Sequence, residues 1–404
     1  MKKEKMSFKN IVNQNKDKYL SEMIKIRRKI HRNPELGFQE KQTSDFIVNY
    51  LQKAGINKLQ KNIGKTGVTA LIEGENIEKT LGIRADMDAL PIEEKTGLDY
   101  SSQNKGVMHA CGHDGHIAML LILGKILNEN KDLLKHNIKL IFQPGEEMKG
   151  GAKHMIEDGV LEGDKKSDIS SVDAIIALHL WPDFPTGTVG IKEGPTMAAM
   201  EKFDITILGE GAHGARPHEG INPITIGNQI GLSLHTIISE RINPAESAVI
   251  SIGEFQGGKA YNVIPDKIEM KGTIRTINKS TRQKIVSEIK QRAKYIGRAY
   301  GAEINIDIEK LYPLTINNKK IVNMLRKNKN EIKLKELRHP SLGSEDFAFF
   351  LQKIPGAIFL VGANLKNKNY PLHHSKFNFD EKALLTGLKV FLYLVDTDIF
   401  ESVS

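Results

Sequence analysis

Cysteine occurs once in these 404 residues, at Cys111. A chain with a single thiol forms no internal disulfide, so its fold needs no oxidising compartment, and a reduced cytoplasm is the expected setting. Long hydrophobic runs are missing as well: no stretch approaches the roughly 18 unbroken apolar residues of a membrane span. The opening MKKEKMSFKNIVNQNKDKYL has the positive charges of an export signal but no apolar stretch after them. Aromatic residues make up only 6%, too few for a base-stacking surface. A formal charge of +9 could otherwise suggest an acidic polymer as partner, but the lysines are scattered through segments such as KIRRKIHR and NKKIVNMLRKNKNEIKLK, which fit solvated helix faces. No nucleic acid and no membrane is therefore expected as a partner.

What is present is enough apolar residue, 40%, to bury a large core, and the length suits two domains better than one. Residues 17 to 54 read as two helices broken at HRNPELGFQE by Pro34 and Gly37. Apolar strands then alternate with helical patterns: TALIEG, TLGIRADMD, the helix GHIAMLLILGKILNEN, IKLIFQP and VDAIIALHL. That alternation predicts an α/β core sheet. The pattern changes near Thr196. Strand 200–208, helix 222–240, strands 247–255 and 267–276, helix 279–299 and strand 303–308 form a β-α-β-β-α-β unit, the order of a ferredoxin-like α+β domain. The expected division is thus a first domain of 1–194 and 309–404, with 195–308 inserted into it.

Polar clusters fall where strands should end, which is where open α/β sheets place their sites. In IRADMDALP, Asp86 and Asp88 lie two apart, and two carboxylates on one side repel unless a cation or protons neutralise them. MHACGHDGH surrounds the lone thiol with His109, His113 and His116. In QPGEE, Glu146 and Glu147 follow an apolar strand and a Pro-Gly turn, an arrangement that lets one carboxylate bind metal and the other handle protons. His179 ends the otherwise apolar strand ALHL, and NYPLHHSKF supplies His373 and His374. Each cluster alone has an ordinary structural explanation. Together they supply the Cys, His, Glu and Asp expected of a hydrolytic transition-metal site.

RADMDALP, MHACGHDGH, QPGEE, LH and PLHHSKF, in that order, resemble the M20 metallopeptidases, and among them the amidohydrolase branch with its hippurate hydrolases, N-acyl-amino-acid deacylases and auxin-conjugate hydrolases. The resemblance covers about residues 20 to 395. It implies a zinc-peptidase-like catalytic domain with the inserted domain as a lid or dimerisation module, two divalent ions (Mn²⁺, Zn²⁺, Co²⁺ or Ni²⁺), and Cys111 as the bridge between them. His113, Glu147, His179 and His373 are the other implied metal ligands, His373 being preferred to His374 because it stands four before Phe377. Many M20 peptidases have His-x-Asp where this chain has Asp86-Met87-Asp88, and His113 takes the place of the missing imidazole. Glu146 is the implied proton carrier and Asp88 an orienting residue, while His109, His116 and His374 are at most supporting or structural.

In the inserted domain, GEGAHGARPH resembles the family's Gly-His loop, so His213 is expected at the active site, in dimeric relatives that of a partner subunit. Asn262 in YNVIP and Arg275 in GTIRT resemble residues that hold the substrate's carboxylate. The implied activity is metal-assisted hydrolysis of the amide bond of N-acyl or N-aroyl amino acids. The protein would be a homodimer or a dimer-based tetramer. A dipeptidase or aminoacylase-like peptidase on the same fold is the alternative, followed by a noncatalytic binder of acidic ligands.

Overall fold

The computed structural model describes residues 7–163, 171–327, 332–366, 369–397 and 399–400. The chain divides into two compact units. The first comprises Met1–Gly194, Ile316–Arg338 and Asp346–Ser404, and the second Pro195–Thr315 with His339–Glu345.

An eight-stranded mixed sheet forms the centre of the first unit. Its four middle strands, His136–Gln143, Asn76–Asp86, Ala174–Pro185 and Gly356–Asn364, are parallel neighbours in that order. Three of them are buried along almost their whole length, as near-continuous apolar runs covered on both faces require. Running in one direction, the middle strands bring their carboxyl ends to the same edge, where Asp86 and Gln143 are the last residues of their strands. His179 does not end its strand, which runs on to Pro185, but lies just past the point where pairing with Asn76–Asp86 stops. The hairpin Leu59–Ile63 and Gly67–Ile72 extends one side of the sheet antiparallel, and Thr188–Ile191 with Lys333–Glu336 extends the other.

Helix His113–Glu129 is buried nearly all round. A helix that is apolar on every face must be enclosed, and here the amphipathic helix Phe8–Arg32 and helix Ala383–Asp396 pack on it outside the sheet. The helix begins at Gly112, whose φ of 87° lies in the left-handed region that a side chain disfavours. Glycine at this position lets the chain turn sharply from the Cys111 loop into the helix.

In the second unit four strands run antiparallel in the spatial order Ala248–Gly257, Lys267–Thr276, Ala199–Leu208, Glu303–Tyr312. By position in the chain that is second, third, first, fourth, the ferredoxin-like arrangement. Alternate residues of Ala199–Leu208 are buried, and helices Pro223–Arg241 and Lys279–Ala299 cover that face with Ile226, Ile230, Leu234, Ile285 and Ile289. Asn222 and Asn278 cap these helices by accepting N–H groups two residues on. The last strand reaches Tyr312 rather than residue 308. Its alternation of isoleucines stops at Ile308, but pairing with Lys202, Glu201 and Met200 continues the strand past that point, with a shift of register between Lys310 and Tyr312. The unit accordingly extends to Thr315 and also takes in His339–Glu345, which the sequence pattern had left in the first domain.

Candidate metal centre

Cys111, His113 and His179 form one group whose ligand atoms all lie within 4.8 Å of one another, and Cys111, Glu147 and His373 form a second. The two groups share the thiol. They contain the five residues expected as ligands and no others.

Each imidazole is held so that one nitrogen faces the centre. His179 Nδ1 lies 2.8 Å from the carbonyl oxygen of Leu180, which can only accept, so Nδ1 carries the hydrogen and the bare Nε2 faces Cys111 Sγ at 3.5 Å. Burial, with the neighbouring His116 ring, pushes His179 down to about 3 and keeps it neutral, the form that ligates. His113 Nδ1 donates to the carbonyl of Asp88 at 2.9 Å, while its buried Nε2 makes no hydrogen bond among the described residues. Burial alone would lower the His113 pKa. The carboxylates of Asp86, Asp88 and Glu147 outweigh it and hold the ring up at about 10. Nε2 lies 3.6 Å from Asp86, beyond hydrogen-bond distance, and the carboxylates that favour a proton there would favour a divalent cation as well.

Cys111 shows the complementary effect. Burial, then Glu147, Glu146 and Asp86, push its thiol well above the ordinary range. A bound cation reverses that balance and deprotonates the sulfur outright. A buried bare imidazole nitrogen, a thiol among carboxylates, and a two-group donor set of His, Cys and Glu fit a pair of divalent transition ions.

The Glu146-Glu147 turn is fixed from below. Asp88, fully buried, accepts the backbone N–H of Glu146 at 3.1 Å and of Glu147 at 2.9 Å. Gly145 before them has φ 62°, and a Cβ there would lie 2.7 Å from the Phe38 ring. Glu147 faces His373 Nε2 at 3.0 Å, and Glu146 joins His113 and Glu147 in a further cluster.

His373 and His374 are separated by their surroundings. His373 adopts φ 65°, uncommon for a residue with a side chain, and its N–H donates to Ala110 at 2.8 Å, tying its loop to the Cys111 segment. The His374 ring stacks on Tyr370 and accepts the Lys376 N–H, so it points away from the metal groups. His116 is also engaged at both nitrogens: it accepts the Leu180 N–H at 2.9 Å and donates to Asp86 at 2.5 Å. His109 is buried with neither ring nitrogen hydrogen-bonded among the described residues, and burial pushes it down to about 3.

Asp86 is neutralised by protein groups, Arg84 at 2.7 Å and His116, and His113 lies between the two carboxylates of DMD, with Nε2 3.6 Å from Asp86 and Nδ1 3.4 Å from Asp88. Sequence reasoning passed over that Arg84, whose Nε donates to Gln143 and whose Nη2 donates to Asp346 at 2.9 Å. Asp346 also accepts the Gln143 amide and the Ala152 N–H. The available signal was an arginine and a glutamine inside apolar strands, since such groups are buried only when paired.

In the second unit His213 and Asn262 come together. Strand residues Ala212–His213 pair with Val263–Ile264, and the Gly214 N–H donates to the carbonyl of Asn262 at 2.8 Å, with both side chains exposed. Arg275, partly buried, uses Nη1 to reach the Leu342 carbonyl at 2.9 Å and Ser344 at 3.3 Å. Its Nε and Nη2 make no hydrogen bond among the described residues, leaving a fork for a carboxylate.

Residues 82–397 match the model of peptidase family M20/M25/M40. The chain is 41% identical over 373 residues to an N-acetyl-L-cysteine deacetylase of Bacillus subtilis, covering 92% of this chain and 86% of that protein. It is 42% identical over 371 residues to a thermostable carboxypeptidase of Saccharolobus solfataricus, covering 90% and 92%. Among solved structures, a dinuclear metal-binding M20 peptidase of Bacillus subtilis superposes with a TM-score of 0.81 at 35% identity, covering 96% of this chain and 99% of that one. With its donor groups at the carboxyl edge of the sheet, this chain belongs to peptidase family M20/M25/M40, as an amide-bond hydrolase of the amidohydrolase type.

Proposed function

We propose that the protein hydrolyses N-acyl amino acids to a carboxylic acid and a free amino acid, using two divalent ions. The observation that carries this reading is the pair of three-residue donor groups joined at Cys111, with Glu146 beside them. Bound there, the ions lower the pKa of a water and polarise the scissile carbonyl. Cys111, His113 and His179 would hold one ion and Cys111, Glu147 and His373 the other. The Glu146 carboxylate takes the proton of the attacking water and delivers it to the leaving nitrogen. Asp88 keeps Glu146 and Glu147 in register through their backbone N–H groups and keeps His113 turned by its carbonyl.

Arg275 holds the substrate carboxylate through its free fork, and His213 with Asn262 stabilises the oxyanion that forms on the carbonyl. The second unit is the lid and dimerisation module. Its exposed Leu232 (72%), Phe255 (42%) and Val263 (52%) give a second copy an apolar surface to cover. Zn²⁺, Co²⁺, Ni²⁺ and Mn²⁺ are the candidate ions, and a reduced cytoplasm suits a working thiol. None of the described helices is long and apolar enough to cross a membrane.

A panel of N-acetyl, N-benzoyl and indole-acetyl amino acids, assayed with each metal, tests the reading. Glu146→Gln should retain two ions and lose at least about 10²-fold in kcat, the scale of lost general-base catalysis. Wild-type turnover by that variant refutes the role. The relative described as a carboxypeptidase supports a second reading, in which a peptide bond beside a free carboxylate is cut. Dipeptides and N-acyl dipeptides in the same panel separate the two.

A further inference from the structure

Glu40 immediately precedes helix Lys41–Lys53, a place where a carboxylate ordinarily caps its own helix. It does not do so here. Glu35 performs that task instead, accepting the N–H of Gln42 at 3.1 Å and of Thr43 at 2.8 Å, together with the Thr43 hydroxyl. Glu40 turns the other way and is fully buried. One oxygen accepts the backbone N–H of Gly145 at 2.9 Å and the other accepts the Thr66 hydroxyl at 2.6 Å. Among the described residues it has no cationic partner.

Placed next to Asp88, this contact completes a pattern. Three consecutive N–H groups, those of Gly145, Glu146 and Glu147, are each held by a buried carboxylate, the first by Glu40 and the other two by Asp88. The rest of the PELGFQE segment holds the same turn. A Cβ on Gly37 would meet Met148 Cγ at 2.4 Å, and Phe38 adopts φ 65° while its ring lies flush against Gly145. The Lys65 ammonium sits over the same ring, 4.0 Å from its centroid. An aromatic residue in the left-handed region is costly backbone, and the neighbours that impose it are those of the turn carrying Glu146.

A buried carboxylate without a counter-ion is also a standing cost, and burial pushes Glu40 up to about 7. Its own helix gains nothing from it, so the contacts it makes must account for it. We infer that Glu40 is a positioning residue for amide hydrolysis: it fixes the Gly145 peptide and thereby aims the Glu146 carboxylate. The inference rests on the reading of Glu146 as the proton carrier.

The test is a double-mutant cycle on the metal-loaded protein, with Glu40→Ala, Glu146→Gln and the pair, reading kcat, KM and bound metal separately. Glu40→Ala should lower kcat by about 10²-fold, the cost of a displacement of about 1 Å in a catalytic group, with KM and metal content little changed. Added to Glu146→Gln it should cost almost nothing more, because it acts through the same carboxylate. An equal further loss in that background, or wild-type kcat in folded Glu40→Ala, overturns the inference. Full activity in Glu146→Gln alone would instead remove the reading beneath it. Should Glu40→Ala fail to fold, Glu40→Gln decides: its amide can accept from Gly145 and donate to Thr66, so kcat should return to within about tenfold of wild type. A 10²-fold loss there with an unchanged Tm would show that the charge matters and the aim does not.

Discussion

His113 Nδ1 lies 2.9 Å from the carbonyl oxygen of Asp88, while the Asp88 carboxylate accepts the N–H groups of Glu146 and Glu147. One residue therefore sets the orientation of a candidate ligand through its backbone and of the proton-handling turn through its side chain. Asp88→Ala keeps the carbonyl that holds His113, removes the carboxylate 3.4 Å from its Nδ1, and abolishes the hold on the turn. The expected result is a 10- to 100-fold loss in activity or metal affinity, the usual scale for groups that hold ligands in place. Chelator titration and kcat at saturating metal separate the two components. Unchanged values for both would show that the turn holds itself.

Cys111→Ser tests the bridge. A neutral hydroxyl is a poor substitute for a thiolate shared by two cations, so the variant should bind fewer than two ions at a metal concentration that saturates the wild type. Because His113, His179, Glu147 and His373 remain, loading should be weakened rather than abolished. Elemental analysis after gel filtration measures it, and two ions with normal turnover would end the thiolate assignment.

Much of this was legible in the sequence, and the limits have physical causes. Glu146, Glu147 and Cys111 stand out only together with the other clusters, since each alone has an ordinary structural use and the combination of Cys, His, Glu and Asp at strand ends does not. The strands Ala199–Leu208 and Lys267–Thr276 declared themselves by alternation. The division of labour between Asp86 and Asp88 did not show, because it depends on His116 and on the N–H groups of the Glu146-Glu147 turn arriving from elsewhere in the chain. His373 and His374 are adjacent and chemically equal. Only the turn at φ 65° and the Tyr370 stack tell them apart. Glu40 drew no attention in the sequence, because no pattern along one chain reveals that Glu35 caps the helix and leaves Glu40 to turn inward.

Lys139 gives a prediction about stability alone. It is 2% exposed on a strand at the sheet's centre, donates to the Val160 carbonyl at 2.6 Å, and is pushed down to about 8 by burial. A lysine whose folded pKa is depressed costs the fold most below that pKa, and the cost fades as pH rises toward its unfolded value near 10.4. At about 1.4 kcal/mol per unit the penalty at pH 7 is about 3 kcal/mol, and losing the hydrogen bond returns about 1 of it. Lys139→Met should therefore raise Tm at pH 7 and lose that advantage near pH 10. An advantage that does not change with pH would mean the ammonium is not what the variant relieves.

The last prediction concerns the buried network behind the metal loop. His31 places Nδ1 2.8 Å from Asp114 and Nε2 3.3 Å from Glu94. Both partners are carboxylates, so both nitrogens must donate and the ring is a cation. Arg27 donates to the same Asp114 oxygen at 2.8 Å, with Tyr100 against the His31 ring and the neutral His109 beyond it. Burial and Arg27 disfavour the charge, yet the two carboxylates outweigh them and raise the His31 pKa above its ordinary value. A raised folded pKa contributes stability that is complete below the unfolded pKa near 6.5 and is lost as pH climbs through the folded one. His31→Gln removes the cation and should cost about 3 kcal/mol at pH 6, the scale of breaking a buried charge network. The Tm gap between variant and wild type should then narrow steadily on the alkaline side. Because Asp114 sits beside His113 in the first turn of its helix, metal affinity should weaken together with stability at pH 6. Thermal scans at pH 6 and pH 9 with metal present decide the matter: a gap equal at both would show that the ring carries no charge in the folded protein.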